Sequence, residues 1–118
     1  EITAVPTFIQ DAAVEALKTD PAPMREIYRK RRDYVCRRLD EMGLTYPKPD
    51  GAFYVFVDIS RFGLNSEEFC TRMIREGKLA VVPGSCFGGE GHIRLSYCYS
   101  DAELRESLDR LERFIISL

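Results

Sequence analysis

Short β-type segments alternate with longer helical ones along this chain of 118 residues, and that order limits the folds it can adopt. Residues 52–59 (AFYVFVDI) and 92–97 (HIRLSY) are rich in β-branched and aromatic residues, which favour strands, and 79–82 (LAVV) predicts one more short buried strand. Apolar residues recur every three or four positions over 7–19, 24–42, 65–77 and from Ser100 onward, which predicts four helices. Short strands mixed with long helices predict an α+β two-layer sandwich, with helices packed on a small sheet.

Capping and stop signals bound the predicted helices. Asn65 with Glu68, and Ser100 with Glu103, have the spacing of capping boxes, while Gly43 and Gly77 are typical helix stops. The apolar stripes predict which side chains each helix buries. They are Met24, Ile27, Tyr28, Tyr34, Val35, Leu39 and Met42 in the second helix, Phe69, Met73 and Ile74 in the third, and Leu104, Leu108, Leu111, Ile115 and Leu118 in the last.

Length and composition limit the number of domains and the classes of function that this chain can have. A chain of 118 residues fits a single domain, residues 1–118, and its net charge of −2 argues against a general nucleic-acid binder. The second helix has a basic face, from Arg25 to Arg38, which we interpret as solvated; a nucleic-acid stripe is the alternative.

No apolar run is long enough to span a membrane, and the first residues lack the pattern of a signal peptide, so we expect a cytoplasmic location. The chain does not begin with methionine, and we expect it to be part of a longer protein.

The cysteines and the histidine do not predict a metal site. Cys36, Cys70, Cys86 and Cys98 include no C-x-x-C pair, and without a secretion signal they are expected to be reduced thiols. His92 is the single histidine, too few ligands for zinc at the usual spacing. Cys86 as a nucleophile with His92 as its base is conceivable, but no third member of such a set is evident in the sequence.

Arg94 is the most informative single residue, because it lies inside a strand segment. Side chains alternate along a strand, so His92, Arg94 and Ser96 share one face, and the apolar Ile93, Leu95 and Tyr97 share the other. A guanidinium on such a polar face suits an oxyanion, since it binds a carboxylate through two parallel hydrogen bonds. An ordinary exposed sheet face is the other interpretation, and the residues alone leave both open.

The segment before Arg94 is unusually rich in glycine. PGSCFGGEG, residues 83–91, has four glycines and a proline between two predicted strands, more than a plain hairpin requires. Glycine allows backbone to approach a ligand or another chain closely. The segment contains neither G-x-G-x-x-G nor a P-loop lysine, so we do not expect a nucleotide site.

Three motifs in order carry a family resemblance over nearly the whole chain. VVPGSCFGGEGHIRLSY (81–97), PDGAFYVFVDI (49–59) and TFIQDAAVEAL (7–17) resemble the C-terminal small domain of fold-type-I, pyridoxal-phosphate-dependent aminotransferases of class I/II. The resemblance implies a mostly antiparallel sheet, a homodimer when intact, and a missing large domain that carries the cofactor. It also implies transfer of an amino group between an amino acid and a 2-oxo acid.

The resemblance assigns roles residue by residue. Arg94 matches the arginine that binds the substrate's α-carboxylate, and Phe53 matches a residue that lines the substrate pocket. Gly84, Ser85 and Gly88 match the loop beside the site. Lys18, Lys30, Lys48 and Lys78 lack the family's context for the cofactor-binding lysine, so the fragment alone is expected to be inactive and to bind no pyridoxal phosphate. A stand-alone amino-acid-binding regulatory domain is the alternative.

Overall fold

A computed structural model describes residues 4–118. The helices are α1 (Thr7–Ala16), α2 (Ala22–Glu41), α3 (Ser66–Arg75) and α4 (Asp101–Ile116). The strands are β1 (Tyr54–Asp58), β2 (Val82–Pro83) and β3 (His92–Ser96), and short 3-10 turns form at Ser60–Phe62 and Gly84–Phe87. None of the helices within 4–118 has the length and apolar character that crossing a bilayer requires.

The sheet has the order β1-β3-β2, and both pairings are antiparallel. β3 is therefore the central strand, with five residues paired to β1 and two paired to β2. Pro83 is tolerated in β2 because β2 is an edge strand, where a missing N–H is not needed by a second neighbour. The predicted α+β class with a small antiparallel sheet is confirmed.

One face of this sheet forms the core with α2, α3 and α4. Val55 and Val57 of β1 and Ile93 and Leu95 of β3 point to that side and are buried. They pack against a set of buried helical residues that includes Val35, Leu39, Phe69, Met73, Leu104, Leu108, Leu111 and Phe114. The period-2 alternation of β3 predicted this division between an apolar face and a polar face.

Helix ends differ from expectation at two places. Asn65 accepts a hydrogen bond from the Glu68 N–H (2.8 Å), so the cap of α3 is present, whereas the reciprocal capping box forms only at Ser100 and Glu103 of α4. Gly77 was predicted as the stop of α3, but the left-handed residue is Lys78 (φ 54°). Gly77 instead lies against Met73, where an added Cβ would be 2.6 Å from the Met73 Cε.

Several predicted core residues are exposed. Ile74 of α3 is 51% exposed and Leu118 is 41% exposed, while Cys70 and Phe114 take buried positions on those two helices. Met24 and Ile27, at the start of α2, are also exposed because the core begins one to two turns further along that helix. The predicted strand 79–82 shortens to β2 (Val82–Pro83).

Helix α1 buries none of its residues. Its apolar side chains face solvent, with Phe8 71% and Leu17 87% exposed. Apolar residues at helical spacing therefore predicted the helix correctly, but the surface that would cover it is not provided by the described part of this chain.

Candidate carboxylate-binding site

The outer face of the sheet is half-buried and carries polar and aromatic side chains. In the antiparallel register Tyr54 lies opposite Ser96, Phe56 opposite Arg94, and Asp58 opposite His92. Residues directly opposite each other project to the same face, so these six side chains form one surface. This surface lies on the side of the sheet away from the helices.

Arg94 is held on this face by two aromatic rings. Its guanidinium carbon lies 4.4 Å from the centre of the Tyr54 ring and 4.2 Å from the centre of the Phe87 ring, both within cation–π range. Within residues 4–118, its guanidinium forms no ion pair with a carboxylate and donates no hydrogen bond. The rings thus orient the group, and its N–H donors have no acceptor among the described residues.

The acidic side chain on the same face does not compete for Arg94. Asp58 Oδ1 accepts a hydrogen bond from the Ser60 N–H at 2.8 Å. Hydrogen bonding from the Ser60 side chain, this bond from the Ser60 N–H and the nearby His92 together lower the pKa of Asp58. Asp58 therefore stays ionised at neutral pH but is turned toward the Ser60 turn.

The glycine-rich loop, residues 84–91, covers one end of this face. Gly84, the first residue of the loop, is buried, and a Cβ at this position would lie 2.1 Å from the Gly89 carbonyl oxygen and 2.6 Å from that of His92. Gly89 lies against the Phe56 ring, where a Cβ would be 2.7 Å from its Cε1. The glycines are needed because the loop folds back on itself and rests directly on the sheet.

The loop is tied to the start of α3. The Glu90 carboxylate accepts hydrogen bonds from the Ser66 N–H (2.6 Å), the Ser66 hydroxyl (3.1 Å) and the Gly91 N–H (2.8 Å). The Ser66 Oγ also accepts a bond from the Ser85 N–H at 3.3 Å, and Ser66 is fully buried. These backbone bonds lower the pKa of Glu90.

The other predicted site residues have different surroundings. Phe53 is 38% exposed and packs against Tyr54 and Tyr28, with ring centres 4.3 Å and 6.3 Å away. Phe53 is not one of the two rings that contact the Arg94 guanidinium, which are those of Tyr54 and Phe87. Ser85 and Gly88 are exposed loop residues, and Gly88 has the left-handed backbone (φ +75°) that ends the 3-10 turn.

Cys86 and His92 do not form a nucleophile–base pair in residues 4–118. The His92 Nδ1 lies 3.0 Å from the Glu90 carbonyl oxygen, and its ring stacks on Phe56 with 5.0 Å between centres. Cys86 is exposed on the loop. The side chain of His92 is thus used to support the loop.

A small hollow borders Arg94 on the β2 side. β2 joins the sheet only at Val82, and the gap between residues 79–82 and the second half of β3 holds about 120 Å³. Its lining includes Tyr54, Arg94, Ser96 and Tyr99 together with leucines of α4. A larger cleft, about 690 Å³, lies elsewhere, between α2 and the turn at 50–52, where Arg29 is already paired with Glu26 and Arg32 with Asp33.

The described residues, 4–118, do not fit a pyridoxal phosphate site. Its four lysines are absent from the strands and from the 84–91 loop. Lys18 pairs with Glu15, Lys30 lies near Glu26, and the Lys78 Nζ donates to the Arg75 carbonyl at the end of α3. Nor do residues 4–118 contain three or more His, Cys, Asp or Glu side chains grouped to hold a metal ion.

Sequence reasoning missed the aromatic residues that hold Arg94. Tyr54 and Phe56 alternate with the buried valines of β1, so the same period-2 argument that was applied to β3 predicts that they share a face. Phe87 and the Glu90–Ser66 contact depend on how the loop folds, for which the sequence has no comparable signal.

Fold and site together define an α+β domain with a three-stranded sheet whose open face presents an arginine that has no ion-pair partner within residues 4–118. Residues 2–111 match the family described as aminotransferase class I and II. The chain belongs to this family.

Named relatives agree with that assignment. The chain is 47% identical over 116 residues to aromatic-amino-acid aminotransferase 2 of Thermococcus litoralis, covering 92% of this chain and 30% of that protein. It is 45% identical over 120 residues to the probable N-acetyl-LL-diaminopimelate aminotransferase of Bacillus subtilis, covering 98% of this chain and 30% of that protein. The crystal structure of aspartate aminotransferase from Thermotoga maritima superposes with a TM-score of 0.89 at 38% identity, over 96% of this chain and 29% of that one. The chain thus spans about 30% of the length of the curated relatives it matches.

Proposed function

We propose that this chain is the small domain of an aminotransferase and that Arg94 binds the α-carboxylate of its amino acid and 2-oxo acid substrates. The observation that supports this most directly is the guanidinium of Arg94, which is oriented by Tyr54 and Phe87 but has no anionic partner within residues 4–118. A cation that is fixed in place yet unpaired is suited to an anionic ligand.

The chemistry of the group favours a carboxylate in particular. A planar guanidinium fork can donate two parallel N–H bonds to the two oxygens of a carboxylate. Each hydrogen bond to a charged group contributes about 1.5–3 kcal/mol. Because the rings already restrict the Arg94 side chain, less rotamer entropy is lost when the substrate binds.

The rest of the catalytic site would come from outside this chain. In aminotransferases, pyridoxal phosphate supplies the electron sink for transfer of the amino group. We therefore propose that the intact protein carries the cofactor and its lysine in a large domain, and that this chain alone is inactive. In that protein, this chain's own task is to hold the carboxylate end of the substrate.

The exposed apolar surface is consistent with a larger, assembled protein. Val5, Phe8, Val14 and Leu17 on or beside α1 are each more than half exposed, which is unusual for a domain that works alone. We propose that a large domain and a second subunit of a homodimer cover this surface, in a cytoplasmic enzyme. The same surface disfavours a stand-alone regulatory domain.

The test uses the full-length enzyme that contains this chain. The specificity constant is measured for an α-amino acid and for a matched amine that lacks the carboxylate, in wild type, Arg94→Ala and Arg94→Lys. We expect Arg94→Ala to lose at least about ten- to a hundredfold on the amino acid alone, at about 1.4 kcal/mol per tenfold. Arg94→Lys should also lose substantially, because lysine keeps the charge but lacks the fork.

Arg75→Ala is the matched control, because Arg75 is exposed on α3 and its side chain makes no ion pair within residues 4–118. It should behave as wild type on both substrates. Equal losses of Arg94→Ala on both substrates, or no loss on either, would show that Arg94 is structural and would overturn the proposal.

A further inference from the structure

Glu90 poses a chemical question, because it places a carboxylate in the loop that borders the Arg94 face. A free negative charge there would compete with a substrate carboxylate for the guanidinium. The Glu90 carboxylate instead accepts three hydrogen bonds of 2.6–3.1 Å, from the Ser66 N–H, the Ser66 hydroxyl and the Gly91 N–H.

The first of these donors belongs to the N-terminus of α3. Ser66 is the first residue of this ten-residue helix, so its N–H has no partner within the helix and the helix dipole favours a negative charge at this end. The carboxylate of Glu90 is thus satisfied at the start of α3, and within residues 4–118 it forms no ion pair with Arg94. Ser66 is fully buried, so its hydroxyl has no access to water and depends on these loop contacts.

The same contact fixes both ends of the loop. The Ser66 Oγ accepts from the Ser85 N–H near the beginning of the loop and donates to Glu90 near its end. The loop is also closed on itself by the hydrogen bond from the Gly89 N–H to the Gly84 carbonyl at 3.0 Å. The loop therefore has little freedom to shift as long as Glu90 holds Ser66.

Phe87 lies within this closed loop, and its ring contacts the Arg94 guanidinium. The ring is about half exposed, and its other aromatic neighbour in the described chain is Phe56, with ring centres 6.4 Å apart. Because so little packing holds the ring itself, its position depends on the backbone of the loop. A loop that opens would carry Phe87 away from Arg94 and leave the guanidinium with a single flanking ring, Tyr54.

We infer that Glu90, through its bonds to Ser66, is a positioning residue that sets the orientation of the Arg94 guanidinium by holding Phe87 against it. This inference rests on the proposed role of Arg94 in carboxylate binding and assigns the loop's acidic residue a part in that same step. Glu90 itself does not touch the substrate.

The experiment measures carboxylate selectivity in the full-length enzyme, defined as the specificity constant for an α-amino acid divided by that for the matched amine without a carboxylate. Glu90→Ala removes all three bonds, and we expect it to lower this ratio about fivefold to tenfold, mainly through a higher KM with kcat largely retained. Glu90→Gln keeps an acceptor oxygen of similar reach and should lower the ratio less. Ser66→Ala should change the ratio in the same direction.

A coupling measurement separates positioning from general destabilisation. Phe87→Ala should lower the ratio as much as Glu90→Ala, and the double variant should be no worse than either single one, because both act through the same ring. Glu68→Ala is the control: it removes a carboxylate from the first turn of the same helix, but from a side chain that is exposed. It should leave the ratio unchanged.

The possible outcomes distinguish this inference from the proposed function. If Arg94→Ala lowers the ratio while Glu90→Ala, Glu90→Gln and Ser66→Ala do not, Glu90 has no positioning role and the function of Arg94 stands. If Arg94→Ala also leaves the ratio unchanged, the proposed function itself is wrong. If Glu90→Ala fails to fold, Glu90→Gln and Ser66→Ala decide: an unchanged ratio in both rejects the inference, and a lowered ratio supports it.

Discussion

Gly84 is the position at which one added methyl group should disturb the candidate site most. A Cβ built there lies 2.1 Å from the Gly89 carbonyl oxygen and 2.6 Å from that of His92, where ordinary contacts begin at 3.4 Å. The shortfall against Gly89 is 3.4 − 2.1 = 1.3 Å. Both obstacles are backbone atoms, so no side-chain rotation can relieve the overlap, and the loop has to open.

The cost of Gly84→Ala follows from what the opening breaks. Forcing extra volume into a packed region costs about 1–3 kcal/mol. Opening the loop also stretches the bond from the Gly89 N–H to the Gly84 carbonyl, now 3.0 Å. A bond of this kind contributes about 0.5–1.5 kcal/mol. We expect Gly84→Ala to lower the free energy of unfolding by about 1.5–4.5 kcal/mol, the sum of these two effects.

Two other glycines provide matched controls for the same substitution. Gly51 has no atom within 4 Å of an added Cβ and no left-handed backbone, so Gly51→Ala should be neutral or stabilising by up to about 1 kcal/mol. Gly88 has open space but φ +75°, so Gly88→Ala should cost about 1–2 kcal/mol from backbone strain alone. The free energy of unfolding is measured by urea denaturation followed by circular dichroism, with the m-value checked for constancy. A Gly84→Ala variant as stable as Gly51→Ala would refute the close packing of the loop.

Two further predictions concern the helices. Arg38 of α2 bonds to Asp109 and Glu112 of α4 at 2.8 Å and 2.9 Å, so Arg38→Met should lower the free energy of unfolding by about 1–2 kcal/mol, and by less in 1 M NaCl. The control Arg37→Met changes an exposed site 3.9 Å from Glu41 and should alter the free energy of unfolding by less than about 0.5 kcal/mol. Equal effects of the two substitutions in a salt-dependent denaturation series would contradict this prediction. Ser100→Ala removes the cap of α4 and should cost about 1 kcal/mol at neutral pH. The hydrogen bonds from Ser100 lower the pKa of Glu103, so the stability that Glu103 adds to the cap is present above the unfolded-state pKa of the carboxyl and is lost as the pH falls through the folded-state pKa. The difference in stability between wild type and Ser100→Ala should therefore shrink in acid. A difference that does not depend on pH would argue against the reciprocal bond.

The sequence predicted those parts of the fold that depend on short-range patterns. Alternation along β3 correctly separated Ile93 and Leu95 from Arg94, because period 2 is a property of any strand. The cap at Ser100 was equally predictable, since its partner Glu103 is three residues away. The resemblance to aminotransferases added the antiparallel sheet, which local patterns do not determine.

Features that depend on distant segments were not predictable in the same way. Ile74 fits the apolar stripe of α3, but no other helix or strand of the described chain covers that side, so it is exposed. The pairing of Phe56 with Arg94 and the bond from Ser66 to Glu90 each join residues that are far apart in sequence. Their geometry follows from how the sheet and the loop assemble, which short-range preferences do not encode.

The strand order β1-β3-β2 has a consequence for the way this chain acquires its structure. The central strand is the last of the three along the sequence, so within residues 4–118 β1 and β2 have no partner strand until residues 92–96 are present, and β1 has only the single bridge from Asp58 to Thr45. A nascent chain emerging from the ribosome would hold two solitary strands until β3 inserts between them, and that single insertion would complete both pairings. Arg94 is paired with Phe56 of β1 and with Val82 of β2, so the step that closes the sheet also fixes the position of the backbone that carries the guanidinium.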